Sequence, residues 1–123
     1  MGDMDDREFF RSVAERAGLS REEATDLTRA TLQAFAQRLS AGAVRELVLH
    51  LPDHLAEQVG GVKGRPSRHS GLTDAEKQVS DRTGLRRDEV HVGFAAVLST
   101  LREALAADVF DRVVAQLPRE FLN

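Results

Sequence analysis

Cysteine is absent, and so are tryptophan, tyrosine and isoleucine. Without cysteine there is no disulfide, no thiolate metal site, no iron–sulfur cluster and no thiol nucleophile. Without isoleucine, and with aromatics at only 5%, the principal strand formers are scarce. No apolar run approaches the roughly 20 residues of a membrane span. Positive charge is not in excess: 17 Lys+Arg stand against 20 Asp+Glu, a net charge of −3. That balance argues against a protein that binds nucleic acid over its whole surface. The first residues, Met1 to Asp6, are acidic, whereas a signal peptide needs a basic start and an apolar run. Gly2 is followed by Asp6 where a myristoylation motif needs Ser or Thr. The expectation is a cytoplasmic protein with no membrane contact.

What is present points to helices. There are 15 Leu, 16 Ala and 12 Val in 123 residues, a length that suits one domain. Apolar residues at 41% and charged residues at 30% describe a folded chain. A chain of this size buries roughly two thirds of its unfolded surface, enough to hold a core without metals or disulfides. Of the 17 basic residues 15 are arginine, a bias that with the high alanine content reads as a GC-rich bacterial codon usage.

The strongest signal is self-similarity. Residues 13–56 align without a gap to 79–122, an offset of 66, and 13 of the 44 pairs are identical. They include Arg16/Arg82, Gly18/Gly84, Glu23/Glu89, Leu32/Leu98, Val48/Val114 and Pro52/Pro118. The chain divides into repeat one at about 5–59, a linker at 60–71 and repeat two at about 72–123.

Each repeat reads as three helices and a tail. Phe9, Val13 and Ala17 recur at i, i+4, i+8 and predict a helix over 5–17. Gly18 closes it in the left-handed conformation. Ser20 and Glu23 make a capping box for a second helix over 21–39, with Leu19 and Ala24 as its hydrophobic staple. After Ser40-Ala41-Gly42 a third helix points Val44, Leu47, Val48 and Leu51 inward, and Leu55 with Val59 adds one last turn. In repeat two, Thr73 and Glu76 suggest a capping box for a helix over 74–83. Helices over 87–106 and 108–116 follow, and a tail after Pro118 buries Phe121. Arg86 stands where Ser20 stood, which weakens that cap by about 1 kcal/mol. Neither repeat has enough apolar surface to stand alone. The expected architecture is all-α: two tandem three-helix repeats packed as one pseudo-two-fold bundle, the long helices central and the short ones covering them.

These segments carry a resemblance. Val13 to Leu19, Ala24 to Leu39 and Leu51-Pro52, repeated as Val79 to Leu85, Val97-Leu98 and Leu117-Pro118, resemble a bacterial all-helical family known as domain-of-unknown-function family 2267. The likeness covers nearly the whole chain. It implies a duplicated helical fold and carries no activity, cofactor or site residue. One departure is that Ala75 and Glu76 occupy the places of Phe9 and Phe10.

Catalytic candidates dissolve on inspection. Arg16 and Arg82 sit in last helical turns and Glu23 and Glu89 in first turns, where their charges suit the helix dipole; a pairing across the turn is the structural expectation. The acidic pairs Glu22-Glu23, Asp5-Asp6 and Asp88-Glu89 occupy first turns for the same reason. His50 and His54 have the i, i+4 spacing of a metal pair, but Pro52 lies between them. His91 has no serine and acid in order around it. Gly60-Gly61-Val62-Lys63-Gly64 lacks the phosphate-loop pattern. No catalytic residue, metal ligand, cofactor or small-molecule ligand is assigned, and an enzyme is not expected.

Two candidates remain. Lys63, Arg65 and Arg68 give the linker a local charge of +3, and Lys63-Gly64-Arg65-Pro66 is similar to the core of an AT-hook, which lays basic side chains along a narrow minor groove. Phe10 is adjacent to core residue Phe9 but about 100° around the helix, and its counterpart Glu76 suggests a position open to water. Phe10 is therefore either the edge of the core or the anchor of a homodimer, with apolar surface beside Ala75 and Val79 left for a partner to cover. The preferred function is a non-enzymatic module that binds a protein partner or itself. The alternative is a nucleic-acid accessory protein acting through residues 62–68.

Overall fold

The computed structural model describes residues 4–60 and 71–122, and every regular element among them is helical. In chain order these are α1 (Asp6–Ala17), α2 (Arg21–Ala36), α3 (Ala41–His50), α4 (Asp53–Gly60), α5 (Leu72–Thr83), α6 (Arg87–Ala104), α7 (Ala107–Val114) and a 3-10 turn (Arg119–Leu122). The starts pair as 6/72, 21/87, 41/107 and 53/119, each separated by the 66 residues of the sequence repeat.

Local chemistry sets most of the ends. Asp5 Oδ1 accepts the Glu8 N–H at 2.8 Å to open α1. Gly18 and Gly84 close α1 and α5 at φ 67° and 78°, where a side chain would be strained. Ser20 Oγ accepts from Glu23 N–H at 3.1 Å while Glu23 accepts from Ser20 N–H at 3.0 Å. At the start of α6 only the second half of that box survives: Glu89 accepts the Arg86 N–H at 3.0 Å, and the arginine side chain has no acceptor to offer in return.

Several ends differ from expectation. The Thr73–Glu76 box does not form; α5 starts at Leu72 after Gly71, with no side-chain cap of its own. Glu76 is instead turned to His91, its Oε2 lying 2.5 Å from Nδ1, and Glu120 of the C-terminal turn accepts the Leu72 N–H at 2.7 Å. Helix α2 stops at Ala36 rather than 39 because Arg38 and Leu39 donate to the carbonyls of Phe35 and Ala36 at 2.9 and 3.2 Å. That tightened turn lets Ser40 accept from Ala43 N–H and cap α3. Helix α6 stops at Ala104 because Leu105 is extended. Helix α7 spans 107–114 rather than 108–116, its end wound tighter by bonds from Gln116 and Leu117 to Val113 and Val114. In place of the single turn expected after Pro52, α4 is a two-turn helix, while its counterpart after Pro118 is a short 3-10 turn that buries Phe121.

The long helices α2 and α6 pack on one another, and the flanking helices cross between halves: α1 packs against α6 as well as α2, and α5 against α2 as well as α6. Helix α3 meets α7, and α4 lies on α2 and α3. Phe9, Val13, Leu27, Val79, Val90 and Val97 are completely buried in the resulting core. Phe35, Phe94 and Phe121 form an aromatic cluster, with Phe35 edge-on to both others at 5.4 and 5.8 Å between ring centres. Two contacts join residues that are repeat partners. A methyl group on Gly93 of α6 would overlap the side chain of Leu27 of α2, its counterpart at the 66-residue offset. Arg112 of α7 pairs at 3.2 Å with Glu46 of α3, its counterpart at the same offset.

Candidate functional site

The sequence candidates fall in different places. Lys63, Arg65 and Arg68 lie outside the described residues. Phe10 is half-buried and packs against the core. The two observations expected beside it are corrected. Glu76 is not open to water; it is only 9% exposed, because α6 brings His91 to its carboxylate. Ala75 and Val79 leave no apolar surface free, since packing against α2 and α6 buries both completely. Arg16 does not pair with Glu23. It crosses to α6, donating to Thr100 Oγ1 at 2.8 Å and pairing with Glu103, while Arg82 crosses to Gln33 of α2. These arginines fasten each flanking helix to the long helix of the other half. His50 and His54 are exposed, one on α3 and one on α4, and no group of three potential metal ligands occurs among the described residues.

Two further arginines are perturbed. Arg38 is buried at the end of α2, donates to the Ala34 carbonyl at 2.5 Å and lies 5.7 Å from the centre of the Phe121 ring. Burial lowers its pKa from the ordinary arginine value, and the charge of Asp74 opposes that shift. Arg112 is held above the ordinary value, first by its hydrogen bond to Glu46. Both arrangements serve packing between elements.

The feature that sequence reading missed is a groove on the outer side of α6. Its larger part, about 390 Å³, is lined by Ala95, Leu98, Ser99 and Arg102 of α6, Phe110, Asp111 and Val114 of α7, and Phe121 with Leu122 of the 3-10 turn. A smaller part, about 200 Å³, continues past Ala95 and Phe121 to Val92, His91, Leu72 and Glu120. Val92 and Leu122 are 47% and 48% exposed, unusual for large aliphatic residues. The lining mixes aliphatic and aromatic side chains with Ser99, Arg102 and Asp111, so the concavity combines apolar contact with polar anchoring. The signal for it lay in the repeat. Val92 and Ala95 replace Asp26 and Arg29 of the first copy, so a charged outer face has become apolar.

Glu76 orients His91 through Nδ1, the geometry of a base and its orienting carboxylate. The hydroxyl of Thr100, buried on α6, donates to its own helix at Ala96 and accepts from Arg16. No helix among the described residues is long and apolar enough to cross a membrane. None of the curated proteins matches the chain in sequence. A family model, described as an uncharacterised conserved protein, matches residues 6–123. With the helices of that whole span in place, the chain belongs to the DUF2267 family.

Proposed function

We propose that the protein is a non-enzymatic helical module that binds a protein partner or a second copy of itself, and that it does so on the outer face of α6. The observation that supports this reading is the groove between α6, α7 and the 3-10 turn, with Val92 and Leu122 exposed beside it. The duplicated organisation belongs to the same reading: a pseudo-two-fold relation of the two repeats is supported by the Leu27–Gly93 and Glu46–Arg112 contacts between repeat partners. Divergence of one copy then gives α6 an apolar surface where the other copy carries exposed charge. The test compares sedimentation and affinity capture for the wild type and Ala95→Arg, a change at an exposed position that fills the groove with charge. The reading expects association that this variant removes. A wild type that is monomeric and captures nothing the variant does not would overturn it. Phe10→Glu, included beside it, separates an interface at α1 from one at α6.

Nucleic-acid contact through residues 62–68 is the second reading, favoured by the local charge of Lys63, Arg65 and Arg68. Binding to AT-rich duplex should fall steeply with salt and disappear when all three are replaced by alanine. Absence of binding at low salt would end it.

A further inference from the structure

One pair of titratable side chains differs in kind from the packing contacts. On α6, His91 turns Nδ1 toward Oε2 of Glu76 on α5, 2.5 Å away. The glutamate side chain is 12% exposed and the imidazole 61% exposed. An ionised carboxylate only accepts hydrogen bonds, so Nδ1 carries the proton and the free lone pair of the ring lies on Nε2. Nε2 has no partner among the described residues. The first repeat docks the equivalent helix without such a pair. Phe10 and Thr25 stand at the positions of Glu76 and His91, and Thr25 donates to its own helix at the Arg21 carbonyl. Burying a carboxylate where a phenyl ring serves is costly, so the docking of α5 does not account for the pair.

Going beyond the binding-module reading and independent of it, we infer that His91 is a phosphoacceptor whose Nε2 takes a phosphoryl group from an acyl phosphate. Nε2 attacks phosphorus. The N–P bond forms as the P–O bond to the donor's carboxyl group breaks, and the electron pair leaves on the donor carboxylate. The proton stays on Nδ1, so the ring becomes a phospho-imidazolium whose positive charge develops beside Glu76. Glu76 is the positioning residue: it fixes the tautomer and the ring plane, and its charge favours the cationic product. Arg87 lies one turn before His91 on the same helix. One of its guanidinium nitrogens donates to the Thr73 carbonyl at 3.2 Å, and its remaining N–H groups suit phosphoryl oxygens. Lys77, exposed next to Glu76 on α5, adds a second positive charge. The nearby carboxylates are engaged elsewhere: Glu120 accepts the Leu72 N–H, and Asp88 pairs with Arg86.

The test treats the whole protein with acetyl phosphate and follows phosphohistidine by phosphorus NMR, the labelled position being read from the mass of its peptides. His50 and His54, exposed and bonded to no carboxylate among the described residues, are the internal reference. His91 should be labelled at least about tenfold faster than either. Glu76→Gln, which keeps the shape and removes the charge, should slow His91 by about 10- to 100-fold and leave His50 and His54 unchanged. Imidazole nitrogen NMR of the wild type, which needs no variant, should show His91 as the Nδ1–H tautomer. A second arm supplies the acyl phosphate on a protein, as the aspartyl phosphate of a phosphorylated domain freed of small donor. Label on His91 from either donor supports the inference, and the faster donor identifies the source. Three outcomes overturn it: no label on His91 from either donor, labelling no faster than at His50 and His54, or a wild-type His91 protonated at Nε2 in place of Nδ1.

Discussion

Gly93 has its role from a neighbour and not from its own backbone. It lies inside α6, where glycine costs about 1 kcal/mol relative to alanine, and it is retained because Leu27 fills the space a Cβ would need. Gly93→Ala should therefore destabilise the protein by about 1–3 kcal/mol despite its better helix propensity. Adding Leu27→Ala should recover part of that loss, a coupling that a double-mutant cycle in urea measures. Thr31 presents the opposite case. It is completely buried on α2 and its hydroxyl has no hydrogen-bond partner among the described residues, while the second repeat carries Val97 in its place. Thr31→Val keeps the shape and removes the orphaned hydroxyl, so it should raise stability by about 1 kcal/mol, seen as a higher urea midpoint at unchanged slope.

At the scale of elements, the two halves use different devices to start equivalent helices. Helix α2 carries its own box in Ser20 and Glu23, so Ser20→Ala should cost about 1 kcal/mol and act locally. Helix α5 depends on Glu120, 48 residues along the chain, to accept the Leu72 N–H. Glu120→Ala should lose a similar amount, about 1 kcal/mol for a charge-assisted cap. Its signature is different: hydrogen exchange should speed up in the first turn of α5 and in the 3-10 turn together. If only the 3-10 turn loosened, the cap would not be the link between them.

For the whole molecule, the crossing of α1 onto α6 and of α5 onto α2 means that each half completes the core of the other. Arg16 and Arg82 make the same crossing at the rim. Fragments covering 1–62 and 69–123 should each show little helix by circular dichroism and bind one another when mixed, recovering the helical spectrum. A stable, monomeric helical fold in either fragment alone would contradict this account of the packing. The Glu46–Arg112 pair tests the same arrangement more gently. Both side chains are partly exposed, at 35% and 56%, so reversing either charge should lower the urea midpoint only slightly. Exchanging the two should restore most of it.

Periodicity, capping residues and the 66-residue repeat determined the helices, because each depends on neighbours within a turn or two along the chain. Gly18, Ser20 with Glu23, and Gly84 act at that range, and all three behave in the structure as their chemistry requires. The features that escaped the sequence are those in which a distant group competes for the same side chain. Glu76 left its expected cap because α6 offered His91, and Arg16 passed over Glu23 because Thr100 and Glu103 lay within reach. The groove belongs with them. Val92 and Ala95 were visible as apolar residues in exposed helical positions, but whether an apolar face is covered depends on what packs there. In the first half α4 reaches Gln33 of α2 through Gln58 and leaves Asp26 and Arg29 exposed; in the second, Val92 and Ala95 stand at those exposed positions, beside the 3-10 turn.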